Sequence, residues 1–155
     1  MAEQTRAAQA KQNFSKGYNC AQAVAVAFAD VIGMDEATAA RLTSGYGGGM
    51  GRLREVCGSI SGMVFVMNAL FGYDAPKDFE GKKHLYGEIQ KLAEQFRAEN
   101  GSIVCRELLG LSLRGADSPV PEPRTEGYYE KRPCPALIEN SAAILEAYLK
   151  EKNIL

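Results

Sequence analysis

No C-x-x-C pair occurs in this chain, although it carries four cysteines, Cys20, Cys57, Cys105 and Cys134. That absence excludes a thioredoxin-like motif and the paired spacing of a zinc finger, and the lack of C-x-x-C-H excludes covalent c-type haem. Charge is not in excess in either direction: 18 Lys and Arg stand against 19 Asp and Glu, for a net charge of -1. The balance leaves no basic footprint for nucleic acid and no polybasic membrane anchor, so neither partner is expected. Long apolar runs are missing too. The start, "MAEQTRAAQAKQNF", lacks the apolar core of a signal peptide, and the stretch from Met63 to Val66 and on toward Leu70 is too short to cross a bilayer. A soluble, cytoplasmic protein is expected. Histidine is reduced to His84, which falls in a charged, solvated segment, and no paired carboxylates suggest a hydrolase.

Segments with period-two alternation are also absent, whereas apolar residues recur at helical spacing almost throughout. The expectation is an all-α, single compact bundle of about five or six helices, one domain over residues 1–155, with a Gly-rich loop and a Pro-rich strap. The first helix runs from about Glu3 to Lys16 and stops at Gly17. Asn19 caps the second, which carries Cys20, Val24, Phe28 and Ile32 on one side as far as Gly33. Asp35 caps a short helix to about Leu42. A long apolar helix from about Val56 to Leu70 reads as the buried centre. From Asp78 to Asn100 an inner stripe of Phe79, Leu85, Ile89, Leu92 and Phe96 predicts an amphipathic helix. Ser102 caps a brief helix, "IVCRELLG". Pro119, Pro121 and Pro123 make an extended strap of about Ser112 to Arg132. The last helix, from Pro135 to about Lys152, turns Leu137, Ile138, Ala142, Leu145 and Leu149 inward.

On this map each cysteine falls at the cap or first turn of a different helix. Unpaired N–H groups and the positive end of the dipole lower a thiol's pKa there and equally suit a metal ligand. Arg54, Arg106, Lys131 and Arg132 add positive charge nearby. The alternative for each position is a small apolar filler, since free cysteine is among the most buried residue types. The stretch "GYGGGMGRLREVCGSISG" places Gly47, Gly48 and Gly49 ahead of Cys57. It matches neither G-x-x-x-x-G-K-[ST] nor G-x-G-x-x-G after a strand, so a nucleotide cradle is not the expected reading. Its glycines permit positive φ and close backbone approach, so that N–H groups can face an anion. A tight turn needing no ligand is the competing account.

Taken together, "GYNCAQAV", "GGGMG", "CGSISG", "CRELLG" and "CPALIENSAAILEAYL" resemble the family of redox-active proteins named for its C-GCAxxG-C-C cysteine pattern, over about Lys16 to Leu149. The box "CGSISG" departs from C-G-A-x-x-G by Ser59 in place of alanine. The resemblance implies a small helical protein with redox-active cysteines. The leading expectation is reversible thiol–disulfide or electron-transfer chemistry at Cys20, Cys57, Cys105 and Cys134, with Cys57 the preferred attacking thiolate. The second is an iron–sulfur cluster or zinc held by the same four thiols. A structural or interaction module with inert cysteines is the third. The expected partner is a redox protein or a small-molecule substrate, and self-association is left open.

Overall fold

The Thr5 hydroxyl accepts from the Ala8 N–H and opens α1, Arg6–Ser15, in a computed structural model that describes residues 3–112 and 114–155. Met1 and Ala2, expected within the single domain, and Leu113, expected within the strap, lie outside the described residues. Gly17, at φ 108°, then turns the chain into α2, Cys20–Ala27. A reciprocal cap starts α2: the Asn19 side chain accepts from the Gln22 N–H, and the Gln22 side chain accepts from the Asn19 N–H.

Contrary to the expected run to Gly33, α2 ends at Ala27. Phe28 and Ala29 tighten into three-residue turns onto the carbonyls of Ala25 and Val26, and the Arg6 guanidinium takes the freed Ala27 carbonyl at 2.9 Å. Asp35 caps α3, Glu36–Leu42, as its sequence indicates. A 3-10 turn, Ser44–Tyr46, leads into the short turn α4, Gly47–Met50. The apolar helix α5 covers Gly58–Phe71, and α6 covers Phe79–Asn100 before Gly101 ends it at φ 92°. Two short elements, α7, Cys105–Leu108, and α8, Glu126–Lys131, precede α9, Cys134–Glu151. Among the described residues the architecture is all-α, with six helices of seven residues or more and a single isolated bridge between Val56 and Val104.

The centre of the bundle is α2, not α5. Six of the eight α2 residues are buried, and α1, α3, α5 and α9 all pack on it. Small alanines permit this, and Gly62 completes it: a β-carbon there would stand 2.6 Å from the Ala21 carbonyl oxygen. The apolar surplus of α5 is instead spent partly on the outside, where half-buried Val64 and Phe65 border a groove with exposed Met50 and Val56. On α9, all five expected inner residues are buried. Each of the four Leu and Ile side chains contributes about 1.5–3 kcal/mol of transfer free energy. On α6, Leu85, Leu92 and Phe96 are buried, but Phe79 at the helix start is 71% exposed because it precedes the contact with the bundle.

The expected cap at Ser102 is displaced. Its hydroxyl accepts from the Val104 N–H and α7 begins one residue later, because Val104 pairs with Val56. The strap likewise contains α8, opened by the Thr125 hydroxyl, within the segment expected to be extended.

Candidate functional site

All four cysteines stand at helix starts. Cys20, Cys105 and Cys134 are the first residues of α2, α7 and α9, and Cys57 is the N-cap of α5. Three devices gather these ends. First, the backbone from Leu53 to Cys57 runs against residues 103–106: Cys57 donates to the Ile103 carbonyl at 2.8 Å and Arg106 donates to the Arg54 carbonyl at 3.2 Å. The Arg106 guanidinium fastens the same junction through the Leu53 and Arg54 carbonyls and the Glu55 carboxylate.

Second, the glycine turn winds left-handed. Five successive residues, Gly48 to Arg52, have positive φ between 55° and 73°. Met50 and Arg52 thus adopt a conformation costly for side-chain-bearing residues, and the ring of backbone bonds holds them there, with Gly51 donating to Gly45 at 2.8 Å and Glu55 to Gly49 at 2.9 Å. Glycines of this turn and at the start of α5 permit close approach around the cysteines. A β-carbon on Gly49 would come within 2.6 Å of the Cys105 β-carbon, one on Gly47 within 2.5 Å of the Asn19 side chain, and one on Gly58 within 2.9 Å of the Cys20 β-carbon. Gly49 is buried behind the thiols, while Gly47 and Gly48 face the cavity described below.

Third, the strap is tied down at both ends. Asp117 donates its N–H to the Arg52 carbonyl, and its carboxylate accepts from Arg54 at 2.9 Å and Arg52 at 3.3 Å. Arg54, chiefly through this hydrogen bond, holds the Asp117 carboxyl below the usual carboxylate range. Farther along, the Arg124 guanidinium bonds the carbonyls of Phe14 at 3.0 Å and Tyr18 at 3.1 Å, while lying 4.2 Å from the Phe14 ring and 5.0 Å from that of Tyr128. The strap therefore roofs a cavity of about 300 Å³. Cys20, Cys105 and Cys134 line it together with Arg52, Arg54, Arg124 and Arg132.

The sulfurs divide into three settings. Cys20 and Cys134 stand on the wall of the same cavity, and each is the strongest influence on the other's ionisation. The Cys20 thiol as donor, with help from the charges of Arg132 and Arg54, overcomes burial and lowers the Cys134 pKa to about 7. The same pairing pushes Cys20 well up, and burial adds to it. Cys105 accepts from the Arg54 guanidinium at 3.6 Å, yet burial wins and raises its pKa. Cys57 lies outside the cavity lining, 3.1 Å from the Ser59 hydroxyl, and burial raises it as well.

Cys57, the expected thiolate, is pushed up by burial despite its place at a helix start, whereas Cys134 is the thiol held down. Arg54, expected to act on Cys57, reaches Cys105 instead, and Arg106 points into backbone carbonyls rather than at a sulfur. All four cysteines are free thiols, close enough that each of the other three sulfurs raises the Cys20 pKa. Among the described residues, no group of three or more His, Cys, Asp or Glu is disposed to hold a metal ion, so the ligand set that iron–sulfur or zinc binding calls for is not assembled. Sequence reasoning passed over Arg52, Arg124, Asp117 and Glu122. An arginine set between a proline run and the Tyr128–Tyr129 pair was the available signal for Arg124.

No helix among the described residues is long and apolar enough to cross a membrane. A family profile described as "Putative redox-active protein (C_GCAxxG_C_C)" matches residues 18–148, a span that contains all four thiols. No curated protein and no solved structure matches the chain.

Proposed function

The chain belongs to the C_GCAxxG_C_C family, and from that premise we propose that it performs reversible thiol–disulfide exchange, with Cys134 the attacking thiolate and Cys20 the resolving thiol. The observation that carries this reading is that Cys20 and Cys134 share the wall of an arginine-lined cavity. An attacking thiol is most effective when its pKa lies near ambient pH, and about 7 meets that condition.

The chemistry proceeds in two displacements. The Cys134 thiolate attacks one sulfur of a substrate disulfide, forming a mixed disulfide and expelling the other half as a thiolate. Cys20 then loses the anionic neighbour that had pushed its pKa up, because Cys134 no longer carries the charge that held the Cys20 proton in place. Its proton passes to the departing thiolate or to water. The Cys20 sulfur attacks Cys134, closes the internal disulfide and releases the second half. Two protein thiols are oxidised and one disulfide is reduced to two thiols. Arg54 and Arg132 stabilise the thiolate, and Cys105 stands beside the pair. Gly47 and Gly48 shape the cavity mouth.

Titrating the reduced protein with one equivalent of a small disulfide and mapping the sulfurs by mass spectrometry tests this. The expected product is a Cys20–Cys134 bridge, and Cys20→Ser is expected to halt at a mixed disulfide on Cys134. A protein whose four thiols all remain alkylatable, or whose bridge excludes Cys134, removes the reading.

A further inference from the structure

We infer that the cavity selects a small anionic disulfide, one whose arms end in carboxylates, over neutral or cationic ones. This rests on the exchange chemistry proposed above and adds the class of its substrate.

Charge accounting in the cavity walls supports it. Four guanidinium groups, from Arg52, Arg54, Arg124 and Arg132, meet two carboxylates: Asp117 pairs with Arg52 and Arg54, and Glu122 pairs with Arg132. The Cys134 thiolate answers one of the two surplus charges. Arg124 is held only by neutral oxygens and by the faces of Phe14, Tyr128 and Tyr129, with no carboxylate on it among the described residues. The half-buried Arg124 guanidinium is positioned by carbonyls and aromatic faces with its charge unanswered by a carboxylate, and a carboxylate can accept from such a group in parallel pairs. The strap supplies the enclosure that makes such a charge effective, through Pro119, Pro121 and Arg124.

Size argues for a small molecule. A cavity of about 300 Å³ is at the lower end of ligand pockets. Cys105 and Cys134 are each less than a tenth exposed, so the surface of another protein meets the strap before it meets the sulfur. An arm carrying a carboxylate reaches the arginines while its disulfide faces Cys134. The reaction balances as above, the anionic disulfide being the oxidant and two carboxylate-bearing thiols its products.

The test compares three reagents of similar size on the reduced protein at low ionic strength: 2,2'-dithiodiacetate, bis(2-hydroxyethyl) disulfide and cystamine. Each rate is divided by that of a simple thiol with the same reagent. The dianion is expected to lead the neutral disulfide by about tenfold, with the dication slowest, and the order is expected to contract in about 0.5 M salt. Arg124→Gln is expected to remove most of the gap. Should that variant fold poorly, Arg52→Gln, at the cavity's edge, is expected to narrow it about threefold. Equal normalised rates, or a lead for cystamine, overturn the inference.

Binding is read separately through protection of Cys134 from iodoacetamide by thiodiacetate, a dianion with no disulfide to exchange. Protection greater than that given by neutral thiodiethanol supports the anion site even if no disulfide reacts, in which case exchange alone has failed. Equal protection overturns the anion site even if exchange proceeds.

Discussion

The starts of α5 and α9 look alike locally and behave oppositely. Both are entered by an irregular segment, both place a buried cysteine at the first turn of a long helix, and both carry an arginine two or three residues upstream. At α9 the thiol has a thiol donor, two cations in range and a cavity in front of it. At α5 the thiol has a hydroxyl and its neighbouring backbone, and its arginine has been drawn away by Cys105 and Asp117. The helix dipole is common to both, so it cannot be what separates them. Hydrogen-bond donors and nearby charge decide which sulfur ionises, and burial decides which does not.

The largest test of this contrast is removal of the reactive sulfur. At pH 7 a thiol of pKa about 7 is half ionised, whereas one at or above 9.0 is ionised to about one part in a hundred. Cys134→Ser is therefore expected to lower the fastest iodoacetamide rate about fifty-fold, and Cys57→Ala to leave it unchanged. Comparable losses from both substitutions would erase the distinction.

Next in size is the glycine turn that brings Arg54 and Cys105 to the cavity. Gly49→Ala adds a β-carbon at φ 70° and 2.6 Å from Cys105, and is expected to cost about 2 kcal/mol or more in urea unfolding. Gly87→Ala, within α6 and with nothing within 4 Å of an added β-carbon, is the control and is expected to be neutral or stabilising.

The pH dependence sharpens the comparison further. Because the Cys134 pKa is lowered, its alkylation is expected to fall about tenfold per unit below pH 6, to rise through about pH 7 and to level off above it. A Cys57 thiol raised by burial shows no such inflection below pH 9. Arg132→Gln removes one of the charges favouring the thiolate, and is expected to move the inflection upward by about half a unit, a change of about threefold in rate at pH 6. Smallest of all is Ser59→Ala, which restores the alanine usual in the family's box. It deletes the hydroxyl that favours ionised Cys57, so that thiol is expected to become less reactive still, with the Cys134 inflection unmoved.

Much of the fold was legible because its signals are local. Gly17, Gly33 and Gly101 do adopt positive φ, Asn19 and Asp35 do cap, and the inner face of α9 is as its spacing indicates. The reading failed where a distant group competed for the backbone. Arg6 takes the Ala27 carbonyl and α2 stops early, and Val56 pairs with Val104 so that α7 starts beyond Ser102. Periodicity is blind to such bonds, since each partner is invisible from the other's position in the chain. The same blindness made α5, the more apolar helix, look central, when the alanine-rich α2 is enclosed because small side chains let four neighbours close upon it.

By itself, then, the amino-acid sequence determined the helices, the glycines that let backbone pass close to sulfur, and the placing of each cysteine at a helix start, because these depend on residues within a turn or two of one another. Only tertiary structure decided that Cys20 and Cys134 share one cavity wall, that Cys57 stays off it, and that Arg124 comes from the strap to stand over the same cavity. Those outcomes turn on Coulomb energy and desolvation, which depend on separation in space and access to water, and neither quantity is ordered along the chain.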